Sequence, residues 1–276
     1  MLAYSHDTRV LLRCAVMQFF HPPLQMGSPR LPLIGPQTAL FLDFDGTLAD
    51  LAPQPGAVQV TAELIPTLAQ LAVRLGGALA IVSGRTLTDL DRFLEPLQLA
   101  AAAEHGSQRR QANGQVISAA APDLQEVVRR AAALAARHPG LYLEIKSAAV
   151  ALHYRQAPDL ETLALRVMRE AANSTPGAEL LHGKCVFEIK PAGVSKGTAI
   201  EAFMGEMPFM GRLPLFAGDD VTDEAGFSVV QFLGGQGIKV GEGVTLARHR
   251  CAAPAVLRQW LQAACQESGN WRGTSP

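Results

Sequence analysis

Short apolar runs, each closed by acids, hydroxyls or glycines, set the pattern of this chain. The runs at 39–42, 78–82 and 99–103 are four or five residues long and almost unbroken, as in strands buried on both faces of a parallel sheet. The segments between them carry apolar residues at helical spacing. Leu64, Leu68, Leu71 and Leu75 form one stripe, with Thr61 as its expected N-cap, Glu63 in its first turn and Gly76-Gly77 at its end. Leu87, Leu90 and Leu94 form a second. The order strand, helix, strand, helix, strand predicts an α/β fold with a parallel, doubly wound sheet. Ligands of such sheets bind beyond the carboxyl ends of the strands.

From residue 113 to 190 the pattern changes. Short alternating stretches at 115–118, 141–145, 148–154 and 185–189 read as strands, and Asn113-Gly114 reads as a hairpin turn. Two amphipathic helices are expected to open at Pro122 and Pro158. This is the pattern of a smaller α+β module inserted into the sheet domain. The core then comprises 38–112 and 191–266, and hinges are expected near Gly106 and Pro191-Ala-Gly193. After Pro191 the pattern predicts a helix at 195–203, strands at 213–217 and 237–240, and a terminal helix at 255–264. The tail from 267 to 276 is expected to be mobile.

Residues 1–37 hold five prolines and no sustained periodicity. The apolar stretch 11–20 is interrupted by Arg13 and lacks a small-residue cleavage pattern, so a poorly ordered extension is expected rather than a signal peptide. Met17 or Met26 could stand nearer the true start. No apolar run approaches the roughly 20 residues of a membrane helix, so no membrane partner is expected. A net charge of −1 over 276 residues gives no reason to expect a nucleic-acid partner. The seven histidines show no zinc spacing, and the four cysteines form no CxxC pair, which suits a reduced, cytoplasmic setting. The expected partner is a small molecule, and the expected state a monomer.

The candidate chemistry sits where apolar runs end. Asp43 and Asp45 close the first run and share a face by strand alternation, although Asp45-Gly46 alone would also serve as a turn. Ser83-Gly84-Arg85 closes the second, and Asp219-Asp220, with Asp223 and Glu224 following, closes a later one. In a parallel sheet these ends converge, and Lys196, opening a helix, can reach the same crevice. Oxygen ligands without Cys or His suit Mg²⁺, held by Asp43, the Asp45 backbone carbonyl and Asp219. Asp43 would attack phosphorus to give an aspartyl-phosphate, and Asp45 would act as acid and then base. Ser83 and Lys196 would hold the phosphoryl oxygens, while Asp220 and Asp223 orient their neighbours.

These segments resemble the four motifs of the haloacid dehalogenase superfamily, in order: Asp43-Phe44-Asp45-Gly46-Thr47-Leu48, Val82-Ser83-Gly84-Arg85, Lys196-Gly197, and Gly218-Asp219-Asp220-Val-Thr-Asp223-Glu224. A closer resemblance, over about residues 38–265, is to the trehalose-6-phosphate phosphatase family. It is carried by Glu104-His105-Gly106, Ala151-Leu152-His153-Tyr154-Arg155, and Gly183-Lys184-Cys-Val-Phe-Glu188-Ile-Lys190-Pro191. The resemblance implies a Rossmann-like core, an inserted cap closing over the sugar, and Mg²⁺-dependent hydrolysis of trehalose 6-phosphate. It also implies that residues 43–46 and 83–85 contact the substrate, and that Glu144, Lys146, Glu188 and Lys190 grip the second glucose. For these last four, alternation alone would equally describe a solvated sheet face. His153 and Arg155 are expected to be structural. Rival readings are a phosphatase of sucrose or hexose phosphates and a non-catalytic sugar-phosphate sensor. Gly234-Gly235-Gln-Gly237 lacks the spacing of a dinucleotide-binding loop.

Overall fold

A computed structural model describes residues 31–52 and 55–266. The expectations for most of the N-terminal extension and for the tail fall outside these residues. The described chain runs β1 (Thr38–Leu42), α1 (Leu64–Arg74), β2 (Leu79–Val82), α2 (Leu87–Leu94), β3 (Ala100–Ala103), β4 (Gln108–Arg110) and β5 (Val116–Ser118). It continues through α3 (Gln125–Ala135), β6 (Tyr142–Ile145), β7 (Val150–His153), α4 (Glu161–Asn173), β8 (Ala178–Gly183) and β9 (Val186–Pro191). It closes with α5 (Lys196–Met204), β10 (Leu213–Gly218), α6 (Glu224–Phe232), β11 (Gln236–Val240), β12 (His249–Cys251) and α7 (Pro254–Gln266).

Eight strands form a large sheet in the order β12-β11-β10-β1-β2-β3-β4-β5. The pairings from β12 to β3 are parallel, and β4 and β5 add an antiparallel edge. All five residues of β1 and all four of β2 and β3 are buried, as unbroken apolar runs require when helices cover both faces. The helices pack in pairs, α1 with α7 and α5 with α6. Phe41, Phe203 and Phe209 meet beneath β1 with ring centroids 5.1–6.0 Å apart. Each fully buried ring or leucine in this core contributes on the order of 1.5–3 kcal/mol.

The second sheet has four antiparallel strands in the order β6-β7-β9-β8. It has its own core, in which Val127, Ala131 and Leu134 of α3 and Ala164, Met168 and Ala171 of α4 pack on Val150, Leu152, Phe187 and Ile189.

Several local expectations are corrected. Residues 116–118 do not belong to the small sheet, because β5 folds back on β4 across the Asn113-Gly114 turn and extends the large one. The chain therefore crosses to the small sheet after Ser118 and not at Gly106. α1 starts at Leu64 without a side-chain cap, so Thr61 is not its N-cap; Pro66, which donates no N–H, sits in the first turn, where none is needed. α3 starts three residues after Pro122, at Gln125. Pro158 does open a short 3₁₀ turn that leads into α4. The strands β4, β8 and β12 were not expected, since β4 and β12 are three residues long and β8 is only half-buried.

Candidate active site

The chain leaves β1 towards β2 and β3 on one side, and β10, β11 and β12 fill the other. The gap between β1 and β10 is thus the point where winding reverses, which is where open α/β sheets bind ligands. Asp43 ends β1 and Asp219 ends β10, so register alone brings them together. Leu42 pairs with Ala217, and the Asp43 N–H donates to the Ala217 carbonyl at 2.9 Å. Lys196 arrives from a third direction, at the first turn of α5. That helix starts at Ser195 because Ser195 and Thr198 form a reciprocal capping box.

The Lys196 ammonium donates to Asp43 Oδ1 and to Asp223 Oδ1, both at 2.7 Å. All three side chains are buried. The Thr47 hydroxyl donates to the other Asp43 oxygen at 3.2 Å. Asp223 turns its second oxygen to the N–H groups of Asp219 and Asp220, each at 2.9 Å, and so fixes the loop after β10. Gly46, with φ +78°, makes room: a Cβ there would lie 2.2 Å from Asp219 Oδ2. Only glycine allows the loop after β1 to pass this close to that carboxylate.

Oxygen atoms of Asp43, Asp219 and Asp223 lie within 4.8 Å of one another. Burial raises the Asp43 carboxyl well above its ordinary value; Asp223 and Asp219 add to this, and Lys196 opposes it. Burial, with Asp223 and Asp220, pushes Asp219 up to about 6. Burial works against the charge of Lys196 too, but Asp223 and Asp43 outweigh it and hold its pKa above the usual value. Three carboxylates therefore compete for one ammonium, and the all-oxygen donor set fits a hard divalent cation. Here the ligand expectation shifts. Asp223, expected only to support, is one of the converging carboxylates, whereas the Asp45 side chain is drawn aside into a bidentate pair with Arg85 at 2.6 and 2.7 Å.

Ser83 lies buried at the end of β2, and its hydroxyl accepts the Arg85 N–H at 3.2 Å. The Phe44 ring turns inward onto Phe93, and Phe44 is not part of the crevice lining. Asp220 caps the 3₁₀ turn before α6.

The small sheet forms the opposite wall. A crevice of about 670 Å³ is lined by Asp43, Asp45, Ser83, Gly84, Arg85, Lys196, Asp219 and Asp220 below and by Glu144, Lys146 and Glu188 above. Lys146 donates to Glu188 at 2.6 Å and to the Gly84 carbonyl at 3.0 Å. Burial opposes ionisation of Glu188, but Lys146 and His105 outweigh it and hold its carboxyl well below the usual range. Glu144 pairs with His153 Nε2 at 2.8 Å. Lys190 is not part of this wall. It is buried against Glu179 and the Val194 carbonyl, away from the crevice lining. His153 and Arg155, expected to be structural, do line the crevice.

Tyr142, Lys184 and His105 also line the crevice and were given no role from the sequence. Burial holds the His105 imidazole below its ordinary pKa, against the pull of Glu188 3.7 Å away. Its signal was present, since Glu104-His105-Gly106 closes the third apolar run just as the other motifs close theirs. Lys239, at the end of β11, donates to the Asp219 carbonyl. A lone lysine in an apolar strand gave no sign of this.

The family model for trehalose-phosphatase matches residues 41–253. A trehalose-6-phosphate phosphatase of Escherichia coli strain K12 is 42% identical over 233 residues, covering 84% of this chain and 88% of that protein. A probable trehalose-phosphate phosphatase of Sinorhizobium fredii is 45% identical over 208 residues, covering 75% and 78%. Among solved structures, a trehalose-6-phosphate phosphatase related protein superposes with a TM-score of 0.65 at 29% identity, over 82% of this chain and 96% of that one. The C-terminal domain of the C. albicans trehalose-6-phosphate phosphatase, at 21% identity and TM-score 0.74, shares the fold over 84% of this chain and 93% of its own.

Proposed function

The chain belongs to the trehalose-phosphatase family, and from that premise we propose that it hydrolyses trehalose 6-phosphate to trehalose and phosphate through an aspartyl-phosphate on Asp43. The observation that carries this reading is the Lys196 ammonium held between Asp43 and Asp223, with Asp219 alongside. A pure binding protein has no use for a buried carboxylate so placed.

Asp43, Asp219 and Asp223 would hold Mg²⁺, with the Asp45 backbone carbonyl as a further candidate ligand. When bound, the ion neutralises the carboxylates and the phosphoryl oxygens. Burial favours the protonated form of Asp43, and Lys196 together with a bound cation would draw it towards the ionised form. An Asp43 oxygen then attacks phosphorus, the bond to the sugar oxygen breaks, and Asp45 delivers a proton to that oxygen. To take that role the Asp45 side chain leaves its bidentate pair with Arg85. The Asp45 carboxylate next takes a proton from water; the hydroxide attacks the same phosphorus, phosphate leaves, and Asp43 is regenerated. Ser83 and Lys196 hold the equatorial oxygens, where positioning and charge provide most of the acceleration. Lys146, Glu188 and Glu144 face the sugar hydroxyls across the crevice, and closure of the small sheet over the substrate excludes water. The small-molecule substrate and the unpaired thiols Cys185, Cys251 and Cys265 fit a cytoplasmic enzyme.

Phosphate release from trehalose 6-phosphate, with and without Mg²⁺ and beside sucrose and glucose 6-phosphates, is the direct test. Glucose 6-phosphate turned over comparably well would remove the disaccharide assignment.

A further inference from the structure

We infer that Glu104 is a positioning residue, holding the turn between β6 and β7 so that Lys146 spans the crevice from small sheet to large. The inference rests on the reading of the site as a disaccharide-phosphate hydrolase with Lys146 facing the sugar.

Glu104 is completely buried at the end of β3 and is not part of the crevice lining. A carboxylate in such a place is costly unless donors satisfy it. Its donors come from one turn of the other sheet: the Ser147 hydroxyl at 2.6 Å, the Ser147 N–H at 3.2 Å and the Ala148 N–H at 3.0 Å. The residue just before them is Lys146, whose ammonium reaches the Gly84 carbonyl and Glu188.

The backbone of the same segment is tied to the Ser83 loop. The Glu104 N–H donates to the Arg85 carbonyl at 2.8 Å, and the His105 N–H to the Ser83 carbonyl at 2.9 Å. The His105 ring packs so closely on Gly84 that a Cβ there would meet Nε2 at 2.7 Å. Loop 83–85, segment 104–105 and turn 146–148 thus form a closed ring of contacts. Glu104 and His105 both have positive φ, +47° and +58°. Two adjacent non-glycine residues in the left-handed region are strained, and such strain persists where the surroundings over-determine it, often at functional sites. Here the strain aims the Glu104 side chain at the small sheet while His105 stays over the loop.

The consequence is preorganisation. A lysine side chain loses considerable rotamer freedom when fixed, and an anchored turn removes part of that loss from the binding step. Glu104→Gln isolates the effect. An amide has one acceptor oxygen, so its NH₂ must confront either the Ser147 or the Ala148 N–H.

The test measures wild type, Glu104→Gln and Ser147→Ala with trehalose 6-phosphate and with p-nitrophenyl phosphate, which carries no sugar. Amide exchange over 145–149 is followed in parallel. The expected result for Glu104→Gln is a KM for trehalose 6-phosphate raised about tenfold, equivalent to about 1.4 kcal/mol. Turnover of p-nitrophenyl phosphate should be unchanged, and exchange in the turn faster. Ser147→Ala should shift the same readouts less, and it decides the matter if Glu104→Gln does not fold, because Ser147 lies on an exposed turn. Equal losses on both substrates, or an unchanged KM with unchanged exchange, overturn the inference. Failure of the wild type on trehalose 6-phosphate would instead remove the functional reading, and exchange in the variants would still decide the role of Glu104.

Discussion

The carboxyl edge of the large sheet and the crevice face of the small sheet differ in how their chemistry is specified. At the large sheet, the side chains come from β1, β2, β10 and α5, yet they converge because parallel strands end together. Knowing that a residue ends a buried run is enough to place it. At the small sheet, alternation says which residues share a face and nothing about how far along the strand the crevice reaches. Glu188 and Lys190 are two apart on β9, but Glu188 meets Lys146 at the crevice while Lys190 is buried against Glu179. Topology fixes position in the first region; only contacts across the crevice fix it in the second.

The largest effects should come from the convergent edge. Asp43→Asn should lower turnover by on the order of 10⁴-fold or more, as expected when a nucleophile that acts with its neighbours is lost. Thermal stability should hold or rise, because the variant removes a carboxyl whose ionisation burial opposes and leaves Lys196 with Asp223. Normal turnover would exclude Asp43 as nucleophile. Chelation of Mg²⁺ should likewise take phosphate release to background, with recovery on adding the ion back; full activity in excess chelator would contradict the metal role.

A smaller effect should mark the opposite wall. Lys146→Met removes the ammonium between Gly84 and Glu188 and leaves Glu188 without its lysine partner. The loss of a hydrogen bond to a charged group, about 1.5–3 kcal/mol, corresponds to roughly 10–100-fold in kcat/KM for trehalose 6-phosphate. Hydrolysis of p-nitrophenyl phosphate should be spared. Equal losses on both substrates would mean that the two walls do not divide the work between sugar and phosphate.

This division also marks what the sequence made legible. The strands carrying Asp43, Ser83 and Asp219 could be read because each is an apolar run ending in polar groups. Lys196 could be read because it opens the helix expected over 195–203, just after the glycine-bearing segment 191–195. The inward turn of Phe44 follows from the same alternation that puts Asp43 and Asp45 on one face, and only the motif resemblance made it a substrate contact. The approach of Asp223 to Asp43 was not legible, because it depends on the turn after Asp220 and not on a strand end. Glu104 was visible as part of a motif, but its partner turn lies more than forty residues away in sequence.

The acidic cluster also has a signature in stability. Folded, the Asp219 carboxyl keeps its proton to about pH 6, whereas its ordinary value is 3.8. Between those values the Asp219 carboxyl binds more proton in the metal-free fold than in the unfolded chain, so this group's contribution is lost as pH rises through the window. The slope is at most about 1.4 kcal/mol per pH unit for one proton. Denaturant titrations of the metal-free protein and of Asp219→Asn from pH 4 to 7 should differ by this slope, over a background to which His105, its pKa lowered by burial, contributes in the opposite sense. An identical slope in the variant would show that Asp219 does not hold that proton.

The smallest expected effect on activity is the sharpest test of the comparison. Lys190 lies two residues from Glu188 and would pass for a sugar contact on sequence grounds, yet its ammonium is spent on Glu179 and the Val194 carbonyl. Lys190→Met keeps most of the buried stem and removes only the charge. Glu179 is nearly half exposed and can turn to water, so no stranded buried charge follows. The cost should be about 1–2 kcal/mol of stability, from the hydrogen bonds lost. kcat and KM for trehalose 6-phosphate should stay within about twofold, as for substitutions that leave a site's geometry intact. A KM shift matching that of Lys146→Met would put Lys190 in the sugar site and erase the distinction between sharing a face and reaching the crevice.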